Sequence, residues 1–218
     1  MKFIEGFWIP DYENHYCEIN KKTKQTNIIN YQHNVLFRAI SYCKKFDVAI
    51  DGGANIGIIS KTLTKIFNDV YAFEPGMDVF KCFLSNMKDT GVHGYRKALS
   101  NENKTYYIEQ SPVYNTGSRE LTGEKINKDY ISAEGVKLDD FELKECDFIK
   151  LDVQGFELFA LQGAKHTLKN FHPVCMVEIE DLKKLKNPFN VDPKNVINYL
   201  KKFGYKTVDI IGRDHIFA

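Results

Sequence analysis

Four acids stand where short apolar runs end: Asp51 after Val48-Ala-Ile, Glu74 after Val70-Tyr-Ala-Phe, Asp152 after Phe148-Ile-Lys-Leu, and Glu178 after Val174-Cys-Met-Val. An apolar run followed by an acid and then by glycine or proline reads as a buried strand whose tip reaches a ligand edge. Carboxylates gathered on one such edge repel each other. The arrangement therefore calls for something cationic, or for a buried lysine such as Lys150 to pair with one of them.

The stretch Val48-Ala-Ile-Asp-Gly-Gly-Ala-Asn-Ile-Gly57 has the strand, glycine turn and helix start of half a nucleotide-binding unit. It lacks the full G-x-G-x-x-G spacing, and Asp51 would repel a pyrophosphate placed there. A cofactor with an α-ammonium and a sulfonium would be attracted instead, which describes S-adenosylmethionine. A tight turn without a ligand is the alternative. Glu74, ending the second strand before Pro75, adds a carboxylate able to accept two ribose hydroxyls, although an isolated strand-end acid can also be simply solvated.

Methyl transfer from a sulfonium is an in-line displacement, so the protein mainly aligns the acceptor, and a hydroxyl acceptor must also lose a proton. Asp152 is the first candidate to orient or deprotonate it. Lys150 is second, as a positive neighbour of the developing alkoxide, and Glu178 third. The competing reading makes Lys150 and Asp152 a structural pair and has Glu178 binding backbone amides. Two carboxylates fall short of a convincing divalent-cation site, so no metal ligands are assigned and metal dependence is left open.

The elements that must carry these tips alternate. Strands are expected at 47–51, 70–74, around 92–97, 147–153 and 174–179, with helices at 32–45, 56–67, 77–89, 157–169 and 193–203. This pattern implies an α/β, doubly wound, mostly parallel Rossmann-like sheet, closed by an antiparallel terminal pair joined through Gly212. The rhythm breaks in an acceptor-side insertion at 101–135, expected as a hairpin-like addition with strands at 105–109 and 130–136. Within it Tyr106 and Tyr107 read as packing residues, and Tyr114 is left open as a ring for stacking on the acceptor. Residues 1–33 form an N-terminal lead-in, irregular or short-stranded, before a single domain at 34–218.

Lys and Arg total 30 against 29 Asp and Glu, so no global field favours nucleic acid, and Lys183, Lys184 and Lys186 read as a solvated face. Five scattered cysteines without a C-x-x-C pair suit a reducing cytosol rather than a disulfide framework. No run approaches membrane-spanning length and no secretory signal is evident, so a cytoplasmic protein is expected, its oligomeric state open.

Asp51-Gly-Gly-Ala-Asn-Ile-Gly57, Phe73-Glu-Pro75, Lys97-Ala-Leu-Ser100, Val136-Lys-Leu-Asp139, Phe148-Ile-Lys-Leu-Asp-Val-Gln-Gly-Phe-Glu157 and Val177-Glu-Ile179 together resemble the FkbM-type methyltransferases, in order and spacing, from about residue 34 to residue 210. The resemblance implies a class I S-adenosylmethionine-dependent fold that methylates a hydroxyl of a sugar, glycan or related small metabolite. It also implies that Asp51, Gly53, Asn55 and Gly57 line the methionine side, Glu74 the ribose, and Ala98 the adenine region. The chain departs from that pattern at Gln154, where Glu is usual. Size and hydrogen bonding are kept while charge is lost, which puts a metal or base role there in doubt. The alternatives are a nucleic-acid or protein methyltransferase, or a non-enzymatic binding module on the same scaffold. Asp152-Val-Gln-Gly155 lacks the prolines and ring of adenine-amino enzymes, and Cys175, inside an apolar strand, does not suit cytosine chemistry.

Overall fold

The computed structural model describes residues 1–16, 18, 32–110, 115–179, 189 and 191–218. Tyr114, Cys17 and the Lys183, Lys184, Lys186 cluster lie outside the described residues. The chain opens with β1 (Lys2–Ile4) and β2 (Phe7–Ile9), an antiparallel hairpin. Then come α1 (His33–Ile40), β3 (Val48–Gly52), α2 (Ile58–Leu63), β4 (Asp69–Phe73), α3 (Met77–Asn86) and β5 (His93–Tyr95). After a second set of strands the alternation resumes with β10 (Phe148–Leu151), α4 (Glu157–Gln162), α5 (Lys165–Phe171), β11 (Val174–Glu178), α6 (Lys194–Lys201), β12 (Thr207–Ile211) and β13 (Asp214–Phe217).

The main sheet runs β12-β13-β11-β10-β3-β4-β5, parallel from β11 to β5, with β13 antiparallel to both its neighbours. Both faces are covered. Ile149, Leu151, Cys175 and Val177 meet Leu161, Leu168 and Leu200 on one side, while Ala49, Val70, Phe148 and Met176 meet Leu36, Ile40 and Leu63 on the other. Near-continuous apolar strands follow from this double burial. Strand order reverses between β3 and β10, whose tips carry Asp51 and Asp152. That is the switch point where ligands bind in such sheets.

Two expectations need correction. The strand expected around 92–97 divides: Tyr95 ends β5 against Phe73, and Lys97–Leu99 form β6 in a separate sheet with β7 (Thr105–Glu109), β8 (Leu121–Thr122) and β9 (Tyr130–Val136), in the order β6-β9-β7-β8. The insertion is thus more than a hairpin. The helix expected over 157–169 also breaks in two. A Cβ on Gly163 would sit 1.8 Å from the Ser100 carbonyl oxygen, so the chain closes tightly there, and Asp139 starts the new helix by accepting from the His166 and Thr167 amides at 2.8 and 2.9 Å. Tyr106 packs as expected, buried against Phe156 with its hydroxyl 2.7 Å from Ser100 Oγ. Among the described residues no helix is long and apolar enough to cross a membrane, and no group of three or more His, Cys, Asp or Glu could hold a metal ion.

Candidate active site

The tips of β3, β4 and β10 and the edge of the second sheet enclose a cavity of about 280 Å³. Its wall includes Gly53 to Ile56, Glu74, Ala98, Leu121, Lys150, Asp152, Gln154 and Glu178. The glycine turn is shaped by the neighbouring strand. Gly53 has φ +74, and a Cβ there would lie 1.9 Å from the Asp152 carbonyl oxygen, so only glycine lets the two tips close together. Asp152 N donates to Gly52 O at 3.1 Å and continues that contact.

Behind the turn, Lys150 and Asp51 are register partners on adjacent strands, and Lys150 Nζ lies 3.3 Å from Asp51 Oδ1. Both are buried. The ammonium also donates to Gly53 O at 2.9 Å, and Ser60 Oγ donates to Asp51 Oδ2 at 2.6 Å. Burial works against the Lys150 charge, but Asp51, Asp152 and Glu178 more than offset it and leave its pKa above the ordinary lysine value. The pair fixes the turn from below: Asp51 is fully buried and is not part of the cavity wall.

Glu74 faces the cavity with both oxygens held by backbone amides, Oε1 by Gly76 N at 2.7 Å and Oε2 by Asn55 N at 3.0 Å. Burial raises its carboxyl to about 7, against those amides and the charges of Arg119 and Lys150. Each oxygen retains a second lone pair for a ligand hydroxyl. Asn55 has φ +51, and its side chain lies 3.5 Å from Thr116 Oγ1 of the turn between β7 and β8.

On the far side of the switch point the contacts are between side chains. Gln154 Nε2 donates to Asp152 Oδ1 at 2.7 Å and to Glu178 Oε2 at 2.9 Å, while Arg213 Nη2 sits 2.9 Å from Glu178 Oε1. Burial pulls the Asp152 carboxyl upward, but Lys150 and hydrogen bonds from Glu178, Gln154 and Gln32 outweigh it, leaving Asp152 below its ordinary value. Glu178 moves the other way: burial and the Asp152 charge raise it, opposed by Arg213. The two adjacent carboxyls are thus pushed apart, Asp152 down and Glu178 up. Glu157 caps the following turn by accepting from Val153 and Gly155 amides at 3.2 and 3.1 Å, and burial raises it to about 7.

The sequence-based candidates therefore fall into two groups. Gly53, Asn55, Glu74, Ala98, Lys150, Asp152 and Glu178 share the cavity wall, whereas Asp51 and Gly57 stand outside it. Lys150 pairs with Asp51 and not with Asp152. Sequence reasoning passed over Asn115, Thr116, Arg119, Gln32 and Arg213, all on the wall. Nothing in their local spacing marks them. From the lead-in, Tyr16 lines the cavity and Tyr12 holds Arg119, with the Tyr12 hydroxyl accepting from Arg119 Nη2 at 2.7 Å.

Sheet order, switch point and acid-lined cavity define a class I methyltransferase, of the kind that draws its methyl group from S-adenosylmethionine. Residues 51–207 match the methyltransferase FkbM domain, and the chain belongs to that family. It is 27% identical over 191 residues to the hexuronic acid methyltransferase AglP of Haloferax volcanii, a match covering 86% of this chain and 75% of that protein. In fold it is similar to an FkbM methyltransferase from Methylobacillus flagellatus, with TM-score 0.51 and 16% identity over 79% of this chain but only 43% of the other. It is likewise similar in fold to the precorrin 8w decarboxylase of Methanobacterium thermoautotrophicum, with TM-score 0.52 and 12% identity over 100% and 97% of the two chains.

Proposed function

We propose that the chain is an O-methyltransferase that transfers the methyl group of S-adenosylmethionine to a hydroxyl of a sugar or glycan. The cavity residues fit such a donor. Glu74 would take the ribose hydroxyls, the apolar wall at Ala98, Leu99 and Leu121 the adenine, and the Gly53 to Asn55 backbone the methionine end. Asp51 and Lys150 would act from behind by holding the turn. The bound donor supplies an electrophilic methyl carbon on a positively charged sulfur.

The observation that carries the hydroxyl reading is the place of Asp152 on the cavity wall at the switch point, with Oδ1 held by Gln154 at 2.7 Å. A carboxylate in this setting orients a hydroxyl by accepting its hydrogen bond and takes the proton as the oxygen–carbon bond forms. The Gln154 amide, which also donates to Glu178, keeps Asp152 in place. Resemblance to a hexuronic acid methyltransferase supports a sugar-type acceptor, and such an acid offers both hydroxyl and carboxyl oxygens. A carboxylate acceptor would arrive already deprotonated and would not need a base.

Incubation with methyl-labelled donor and a panel of neutral sugars, uronic acids and glycans tests the proposal. The expected product is a methyl ether whose label survives mild alkali. Label released by alkali would mark an ester and contradict the hydroxyl reading.

A further inference from the structure

We infer that residues 1–16 belong to the methyl-donor site, with Glu13 locking the 115–119 turn over the cavity and Arg119 acting as a positioning residue for Glu74. The inference rests on the reading of the cavity as the S-adenosylmethionine site. The matched family domain begins at residue 51, so it does not cover this segment.

Three ties bind the lead-in to the cavity. Glu13 is fully buried, and its carboxylate accepts from Thr116 N at 2.6 Å and from His15 N at 2.7 Å. Charge-assisted bonds of this kind are among the stronger ones, and a buried carboxylate deprived of them is costly. The second tie is Tyr12, whose hydroxyl receives Arg119 and whose ring lies 5.7 Å beneath the guanidinium. The third is Asn86. Its side chain accepts from Trp8 N at 2.6 Å and donates to Trp8 O at 2.9 Å and to Ile56 O at 2.8 Å, fastening the hairpin to the glycine turn itself. Around these bonds Phe7, Ile9 and Tyr16 bury with Ile56, Ile58 and Val79.

What the lead-in holds is cavity wall. Asn115, Thr116, Gly117 and Arg119 all face the same space as Glu74. Arg119 is clamped by Asp78 through two bonds of 2.7 and 3.0 Å, and Gly76 sits between: a Cβ there would lie 2.9 Å from Glu74 Oε1 and 3.7 Å from Arg119 Nη1. The groups facing Glu74 are therefore the Gly76 and Asn55 amides, Arg119 with its Asp78 counterion, and Lys150. A carboxylate must be ionised to accept two ribose hydroxyls, and a guanidinium beside it favours that state. Residues from the lead-in, the second sheet's turn and the β4 tip thus act on one ligand end.

The test is calorimetric titration with S-adenosylhomocysteine between pH 5.5 and 8 for the wild type, Glu13→Ala, Tyr12→Phe and Arg119→Gln, with ligand-free melting recorded for each. Glu13→Ala is expected to weaken binding by about tenfold or more, and Tyr12→Phe by a few-fold. Wild-type affinity should fall as the pH drops through about 7, where Glu74 takes up its proton. In Arg119→Gln that fall should begin at higher pH, a displacement that a merely structural loss would not produce. Should Glu13→Ala not fold, Tyr12→Phe and Arg119→Gln carry the test. Normal wild-type binding with unchanged variant affinities and an unmoved pH dependence would overturn the inference and leave the donor reading intact. A well-folded wild type that binds no S-adenosylhomocysteine would overturn both.

Discussion

The two sides of the switch point solve the problem of buried acid differently. At the tips of β3 and β4 each carboxylate has fixed partners: Asp51 has Lys150 and Ser60, and Glu74 has two backbone amides. At the tips of β10 and β11 the two acids are joined to each other through a side chain, one Gln154 amide nitrogen spanning Asp152 and Glu178. A buried ion pair under the turn and two backbone amides on Glu74 make a rigid cradle suited to a constant ligand such as the donor. Two linked acids pushed in opposite directions suit a step in which an acceptor loses a proton.

The most severe way to break this division is to separate the tips themselves. Gly53→Ala would force a methyl against the Asp152 carbonyl from a backbone at φ +74, and is expected to cost about 3 kcal/mol or more of stability, read as a large drop in melting temperature or loss of soluble protein. Asp152→Asn acts on one side only. Its expected effect is a loss of transfer of about 10²- to 10⁴-fold, measured with whichever acceptor the glycan panel identifies.

Glu157 sharpens the comparison through pH. Its folded-state pKa is raised from 4.5 to about 7, so the stability it contributes is present below about pH 4.5 and is lost as pH rises to about 7. Glu157→Gln keeps the acceptor for the Val153 and Gly155 amides and should be more stable than wild type above pH 7, by up to about 3 kcal/mol, and little changed at pH 4.5. Urea unfolding at both pH values reads this. Smaller still is Glu74→Gln, expected to weaken S-adenosylhomocysteine binding by about 1–3 kcal/mol while leaving the Asp152 network alone. Equal affinity would mean that the ribose is held elsewhere.

The same comparison explains what the sequence revealed. The tips of β3 and β4 lie within one βαβ unit, so Asp51, Gly53 and Glu74 announce themselves by short spacing after apolar runs. Asp152 and Glu178 were legible for the same reason. That Asp51 faces Lys150 instead of the cavity follows from the register of β3 and β10, which local spacing does not contain. Glu13 meets Thr116, and Tyr12 meets Arg119, across more than a hundred residues, with no periodicity to betray either contact. The break at Gly163 was hidden by a continuous helical pattern, since its cause is the Ser100 carbonyl just past the end of β6. Gln154 was visible as a departure from the family pattern. Its consequence, a donor between two acids where a third carboxylate would only repel, required the fold.

The division of labour is tested most directly on one sample of Asp152→Asn, by calorimetry with S-adenosylhomocysteine and by transfer of labelled methyl to the identified acceptor. Wild-type affinity for the donor product together with transfer reduced at least about 100-fold is the predicted result. Unchanged transfer, or affinity lost in step with transfer, would contradict it.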